Sequence, residues 1–194
     1  MKIRLNMIKK HRIFIAINLP EDIKNKLAFY SKKWPELPCK WIKKENLHIT
    51  LEFLGHLTDQ ELADVCLVVE DVSKRHSSFA INLTGISYGP KGKMPPRMVW
   101  AEGEKSDGLV LLKKDLQENL SEKINFNAER KGFVPHVTLA RIKEWEFRRI
   151  DIEEIPEINE NVEILFSVES IEVMASELKR GGPVYAILES RNLM

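Results

Sequence analysis

Two short segments of the chain repeat the same combination of chemically capable side chains. Residues 48–51 and 136–139 both read histidine, β-branched residue, threonine, leucine, and they begin 88 residues apart. The chain holds only four threonines and five histidines, so this double pairing is hard to attribute to chance. Histidine suits proton transfer near neutral pH, and a threonine hydroxyl can donate a hydrogen bond to a phosphate oxygen. The repeat predicts an acid–base site acting on a phosphate, formed by His48, Thr50, His136 and Thr138.

Strand geometry explains the spacing within each motif. Side chains at positions i and i+2 of a strand point to the same face, about 6.6 Å apart, while the residue between them points to the other face. His48 and Thr50 would therefore lie together on one face, with Ile49 and Leu51 directed into a core. Two such strands across a groove would place one histidine on each side of a phosphorus atom, as in-line displacement with a base and an acid requires.

The sharpest competing interpretation of two histidines is a zinc site. Neither motif has a cysteine or carboxylate at ligand spacing, and two histidines alone do not complete such a site. The other three histidines, His11, His56 and His76, lack the motif and are interpreted as structural.

Composition limits the remaining possibilities. A length of 194 residues with 43% hydrophobic and 30% charged residues predicts one soluble domain over residues 1–194, with residues 1–10 as a loose tail. The net charge of +1 favours binding of a short oligonucleotide end or a single phosphate over a long duplex. Cys39 and Cys66 show no paired spacing, and no apolar run is long enough to cross a membrane. We therefore expect a cytoplasmic protein without a membrane partner and without a nucleotide-cofactor motif.

The elements that would position the motifs alternate along the chain. The patterns predict strands at about residues 12–19, 47–54 (ended by Gly55), 79–88, 97–101, 135–142, 162–175 and 183–188, the last two joined by a Gly181-Gly182 turn. They predict helices at about residues 20–33, 58–73 and 106–123, and leave 143–161 unassigned. Several strands look like hairpin neighbours, which favours an α+β fold with antiparallel sheets.

The sequence resembles the RNA 2′,3′-cyclic phosphodiesterases, also called 2′-5′ RNA ligase-like (LigT/ThpR) proteins, of the 2H phosphoesterase superfamily. The double histidine motif points to the superfamily. Flanking segments narrow the resemblance to the family: residues 12–17 (RIFIAI), 53–55 (FLG), 97–100 (RMVW), 135–141 (PHVTLAR), 176–178 (SEL) and 182–185 (GPVY).

The resemblance implies a bilobal fold with pseudo-twofold symmetry, in which two antiparallel sheets with flanking helices surround a central groove. It implies a monomer that needs no cofactor and no metal, and that converts the terminal 2′,3′-cyclic phosphate of an oligonucleotide or tRNA-like RNA to a 2′-phosphate. His48 would be the proton donor to the leaving 3′ oxygen, and His136 the proton acceptor from water. Reversal would give 2′-5′ ligation. The residues alone do not distinguish the two roles.

The resemblance also suggests substrate contacts at three further residues. Arg141 would lie beside the phosphate, although strict alternation along the strand places it on the face away from His136, which leaves a rim ion pair as the alternative. Tyr185 and Phe14 would stack on a base, with burial in the core as the alternative.

Two other functions remain open at this stage. A noncatalytic module that binds RNA ends would keep the threonines but would not need both histidines. A 2H enzyme for a small cyclic nucleotide, such as ADP-ribose 1″,2″-cyclic phosphate, would differ in the depth of its pocket.

Overall fold

A computed structural model describes residues 10–126, 128, 132–180 and 182–194 of the chain. It contains the strands β1 His11–Asn18, β2 Cys39–Trp41, β3 His48–Leu57, β4 Phe79–Gly89, β5 Met98–Gly103, β6 His136–Ile142, β7 Asn159–Val168, β8 Ser170–Lys179 and β9 Gly182–Asn192. Its α-helices are α1 Glu21–Phe29, α2 Asp59–Ser73, α3 Asp107–Lys123 and α4 Glu144–Phe147. Single 3-10 turns lie at Tyr30–Lys32, Lys44–Asn46 and Ile152–Glu154.

The nine strands found in these ranges belong to one antiparallel sheet that divides into two halves. The strand order is β7-β4-β5-β6-β3-β1-β8-β9, and β2 pairs with β6 beside this path. We call β3-β1-β8-β9 the first half and β6-β5-β4-β7 the second half. Among the described residues a single pair, Ile49 with Val137, joins β3 to β6 and therefore joins the two halves. The α+β prediction with antiparallel pairing is confirmed.

The two halves repeat one another around that junction. The order β1–α1–β3 in the first half matches β5–α3–β6 in the second, and both strand pairs are antiparallel. Each pair carries a bulge at the same place, between Ile15 and Ala16 on β1 and between Val99 and Trp100 on β5. The register therefore assigns each residue of the first half near the junction a counterpart in the second.

The sheet is strongly bent rather than flat. In a flat sheet β7 and β8 would lie six strand spacings apart, about 29 Å. Yet only Glu169 separates the end of β7 from the start of β8. The prediction of one long strand over residues 162–175 is wrong, because the chain passes at Glu169 from one half of the sheet to the other. The apolar alternation changes phase there, from even positions up to Val168 to odd positions from Ile171.

Helices cover one face of the sheet and build the main core there. Thr58 and Glu61 form a capping box at the start of α2, and the Ser106 hydroxyl accepts a hydrogen bond from the Leu109 backbone N–H at the start of α3. The two helices pack on each other, and the buried stripe of α3 comprises Leu109, Leu112, Leu116 and Leu120. A second, smaller apolar cluster of Phe14, Ala16 and Met174 is separate from this core.

Three further expectations need adjustment. β3 does not end at Gly55, because that residue adopts a φ of 77° beside a bulge and the strand continues to Leu57. The unassigned segment 143–161 holds α4, one 3-10 turn and the start of β7. Gly181 of the predicted turn and residues 1–9 of the predicted tail lie outside the described residues. In the part of the chain that is described, no helix is long and apolar enough to span a membrane.

Candidate active site

The junction between the halves brings the two histidine motifs together. Ile49 and Val137 pair across β3 and β6 and are both fully buried. Neighbouring residues on a strand point to opposite faces, so the partly exposed His48, Thr50, His136 and Thr138 share the other face of the sheet. Antiparallel pairing at this point sets each histidine beside the threonine of the opposite motif. The predicted two-sided arrangement is thus formed by adjacent strands of one bent sheet.

Each imidazole makes an equivalent hydrogen bond to a backbone carbonyl two residues before it. Nδ1–H of His48 donates to the Asn46 carbonyl at 2.7 Å, and Nδ1–H of His136 donates to the Val134 carbonyl at 2.8 Å. A carbonyl only accepts, so in each neutral ring the proton lies on Nδ1 and Nε2 is the atom that exchanges a proton. Nε2 of His48 accepts from the Thr50 hydroxyl at 3.1 Å in that tautomer.

His48 lies in a largely apolar pocket made by the first half. Its ring lies 5.0 Å from the Phe14 ring and 5.2 Å from the Tyr185 ring, centroid to centroid. Burial, together with the positive charges of Lys24, His136 and Arg141, lowers the pKa of His48 to about 4, although the hydrogen bond to Asn46 opposes this shift. His48 is therefore neutral at pH 7 in this structure.

The lysine that faces His48 was missed by sequence reasoning. Lys24 comes from α1, where it lies on the buried face between Ile23 and Leu27 and is only 7% exposed. Burial lowers the pKa of its ammonium, and the carboxylates of Glu21 and Glu172 oppose that shift. Its position on the apolar face of a predicted helix was the sequence signal that could have identified Lys24. A partly buried cation near a histidine is suited to binding an anion.

His136 has a different neighbour in the second half. The indole of Trp100 stacks on its imidazole with 3.9 Å between ring centroids and 26° between ring planes. The Trp100 N–H donates to the Met98 sulfur at 3.4 Å, and the Thr138 hydroxyl points to the same sulfur at 3.9 Å. The sequence reasoning did not single out Trp100 as part of the site.

Arg141 lies on the same face as the motifs, contrary to strict alternation. Between Thr138 and Ala140 the bulge opposite Val99 and Trp100 adds one residue to β6, so that Arg141 pairs with Met98. Paired residues of neighbouring strands share a face, and Met98 contacts Thr138 on the site face. On its other side Arg141 pairs with Lys40 of β2, which adds a second cation to this face.

The two residues predicted to stack on a base differ in how far their rings are exposed. Phe14 is only 3% exposed, so its ring packs behind His48 rather than offering a face to a base. Tyr185 is half-buried and meets both Phe14 and His48 edge-on. Phe53, which sequence reasoning did not select, is 66% exposed and lies 6.2 Å from Phe14. The bulge in β3 turns Phe53 to the site face, as the bulge in β6 turns Arg141.

Two of the remaining histidines have acidic partners. His11 contacts Asp59 and His76 contacts Asp115, each at 2.9 Å, on the helical side of the fold. Within the described ranges no group of three His, Cys, Asp or Glu side chains is arranged to hold a metal ion.

Comparison with known sequences agrees with this geometry. The chain matches the LigT like Phosphoesterase family over residues 17–100 and 104–185, and each matched segment contains one histidine motif. The chain belongs to this family. A Thermotoga maritima protein named RNA 2′,3′-cyclic phosphodiesterase is 32% identical over 91% of this chain and 92% of its own length. An Aquifex aeolicus protein of the same name is 31% identical over 94% of this chain and 97% of its own.

Solved structures show the same architecture. A Thermus thermophilus protein superposes with a TM-score of 0.82 at 30% identity, over 94% of this chain and 97% of that one. Escherichia coli LigT in complex with 3′-AMP superposes with a TM-score of 0.75 at 24% identity, over 95% and 99% of the two chains. This family member is therefore a phosphoesterase with the LigT fold.

Proposed function

We propose that this protein hydrolyses 2′,3′-cyclic phosphate ends of RNA to 2′-phosphomonoesters by acid–base catalysis with His48 and His136. The observation that carries the proposal is the pairing of Ile49 with Val137, which sets both His-x-Thr motifs side by side on one face. The matching Nδ1 hydrogen bonds support it, because they give both histidines the same exchangeable atom. The names of the Thermotoga and Aquifex relatives support the choice of substrate.

The proposed reaction is a single in-line displacement. His136 takes a proton from water through Nε2, the water oxygen bonds to phosphorus, and the bond from phosphorus to the 3′ oxygen breaks. His48 gives a proton to that leaving oxygen, which leaves a 3′ hydroxyl and a 2′-phosphate. Thr50 and Thr138 donate hydrogen bonds to the nonbridging oxygens, and Arg141 and Lys24 offset their negative charge. This assignment of acid and base follows the family resemblance.

The low pKa of His48 sets a condition on the donor role. With a pKa of about 4, His48 holds a proton at pH 7 only after its surroundings change. A bound cyclic phosphate carries a negative charge that offsets Lys24 and Arg141, two of the cations that keep His48 neutral. Binding of the phosphate would then favour uptake of a proton from solvent by His48, and the imidazolium would be a strong acid toward the leaving oxygen.

The experiment follows turnover of a short RNA ending in a 2′,3′-cyclic phosphate, in EDTA, by the wild type and by His48→Ala and His136→Ala. His56→Ala is the matched control, since His56 is an exposed histidine on the same strand as His48. We expect wild-type conversion to the 2′-phosphate, a loss of about 10²–10⁴-fold in each site variant, and no loss in the control. Wild-type binding without turnover would refute the proposal in favour of a noncatalytic module. Turnover of small cyclic nucleotides alone would refute the RNA substrate.

The same groups would also catalyse 2′-5′ ligation. Attack of a 5′ hydroxyl in place of water on the cyclic phosphate would form a 2′-5′ linkage, with the two histidines in the same roles. Cys39 and Cys66 are both unpaired, which supports a reducing cytoplasm as the location of the enzyme.

A further inference from the structure

Trp100 packs closely against two neighbours in the second half. Its indole stacks on His136 at 3.9 Å. The indole also lies against Gly89 at the end of β4, where a Cβ atom would come within 2.2 Å of Cδ2 and 2.5 Å of Cε3. Ordinary carbon contacts are about 3.5–4.0 Å, so no residue larger than glycine fits there unless the indole moves. The edge is fixed as well, because the N–H donates to Met98.

The first half has nothing comparable at this place. The register that pairs Trp100 with Thr138 pairs Ala16 with Thr50, so Ala16 is the counterpart of Trp100. Packing of the sheet therefore does not require an indole at this position. The ring in the second half is set specifically against His136.

We propose that Trp100, seated on Gly89, is a positioning residue that fixes the imidazole of His136 and stabilises it once it has accepted a proton. This inference rests on the proposed acid–base role of His136. Stacking removes the freedom of the imidazole to rotate away from the groove, and a misplacement of about 1 Å can cost about 10²-fold in rate. The electron-rich face of an indole also attracts the positive charge that the imidazole gains during the reaction.

Other charges also face His136 and have to be considered in any pH measurement. Glu102 is its register partner on β5 and is itself bound by Lys91 and Ser87. His48 on β3 is close enough to interact electrostatically with it. Arg141 lies on the same strand and face. None of these groups changes when Trp100 is replaced, so a change in the pH profile of that variant reports the indole.

The test compares Trp100→Phe with Trp100→Leu on RNA ending in a 2′,3′-cyclic phosphate. We expect Trp100→Leu to lower kcat by about 10- to 100-fold with KM within about twofold of wild type. Its acid limb in kcat/KM should move about 0.4–1.5 pH units lower, because the protonated imidazole has lost its π face. Trp100→Phe keeps an aromatic face, so its kcat and the position of its acid limb should stay close to those of wild type. Trp145→Leu, at an exposed tryptophan on α4, is the control and should match wild type.

A double-variant cycle tests the contact between Gly89 and the Trp100 indole. Gly89→Ala alone should lower kcat, because the new methyl group displaces the indole from His136. In the Trp100→Leu background the same alanine should cost little more, since no indole remains to be displaced.

The outcomes separate this inference from the proposed function. A wild type without turnover would overturn the proposed function and this inference with it. An active wild type whose Trp100→Leu variant keeps both kcat and the acid limb would overturn this inference alone. Equal losses in Trp100→Leu and Trp100→Phe, without a pH shift, would also overturn it, by showing a packing role only.

Discussion

The two halves of the sheet hold equivalent histidines in unlike surroundings. Each imidazole donates through Nδ1 to the carbonyl two residues before it. Beyond that bond, His48 lies in an apolar pocket with Phe14 and Tyr185, whereas His136 stacks on Trp100. The duplicated motif fixes which ring nitrogen is bound to the backbone, and the surroundings then decide how readily each ring carries a charge.

The difference extends to the neighbouring pairs. The bulges turn one residue of each half to the site face, Phe53 in the first and Arg141 in the second. The first half thus offers an exposed ring where the second offers a cation. A terminal nucleotide has both a base and a phosphate, so these unlike counterparts suit one asymmetric ligand lying across the junction.

The largest predicted effect separates the two histidines by chemistry. A cyclic phosphate whose bridging 3′ oxygen is replaced by sulfur has a leaving group that needs no proton. We expect His48→Ala, which should lose about 10²–10⁴-fold on the oxygen substrate, to recover most of its rate on the sulfur substrate. His136→Ala should stay impaired on both. Rates on the two substrates measure this, and recovery by His136→Ala instead would show that the roles are reversed.

A second prediction concerns a buried ion pair between α3 and Glu52 of the first half, a residue whose counterpart in the second half is not charged. Lys113 of α3 contacts the Glu52 carboxylate and donates to the Leu51 carbonyl at the β3 bulge, at 2.7 Å. The counterpart of Glu52 in the second half is Ala140. Lys113→Met would leave a buried carboxylate without its partner, at a cost of roughly 3–5 kcal/mol in the free energy of unfolding.

Denaturant unfolding of the variant measures this cost. Lys114→Met is the matched control, because its neighbouring lysine is exposed and pairs with the exposed Glu118. A Lys113→Met variant as stable as the control would contradict the assigned role of the pair.

These two predictions show what the sequence could and could not supply. The repeat of His, Thr and Leu predicts the shared face of the two motifs, because strand periodicity alone places i and i+2 on one face. Strict alternation put Arg141 on the wrong face, because a bulge is not visible in an alternating pattern. Lys24 and Trp100 were missed, since their roles depend on packing between elements distant in sequence. The prediction of one strand over 162–175 was also wrong because of long-range packing, since its two parts pair with β4 and β1 in opposite halves.

A third prediction concerns how the low pKa of His48 makes the free energy of unfolding depend on pH. The ordinary pKa of histidine is about 6.5, and the folded protein lowers that of His48 to about 4. Between these values the unfolded chain binds a proton that the folded chain does not, so stability falls as the pH falls from about 6.5 to about 4. The loss attributable to His48 is roughly 3 kcal/mol.

His48→Gln should lack that part of the pH dependence. Unfolding free energies of wild type and variant, measured from pH 7 to pH 4, should converge as the wild type loses this contribution. Curves that stay parallel over the range would show that His48 titrates normally in the folded protein.

The smallest predicted effect tests whether the unlike counterparts Arg141 and Phe53 contact different parts of the substrate. Arg141→Ala should raise KM by roughly 10- to 100-fold for any RNA with a cyclic phosphate end, because it removes a charge-assisted contact with the phosphate. Raising the salt concentration should weaken wild-type binding more than binding by this variant. Phe53→Ala should instead raise KM by an amount that depends on the terminal base, and a purine, with its larger stacking surface, should lose more than a pyrimidine. Steady-state kinetics with ends that differ only in the last base distinguish the two patterns. If Phe53→Ala affected all bases equally, the ring would contribute to packing beside Phe14, and the two halves would not divide phosphate and base between them.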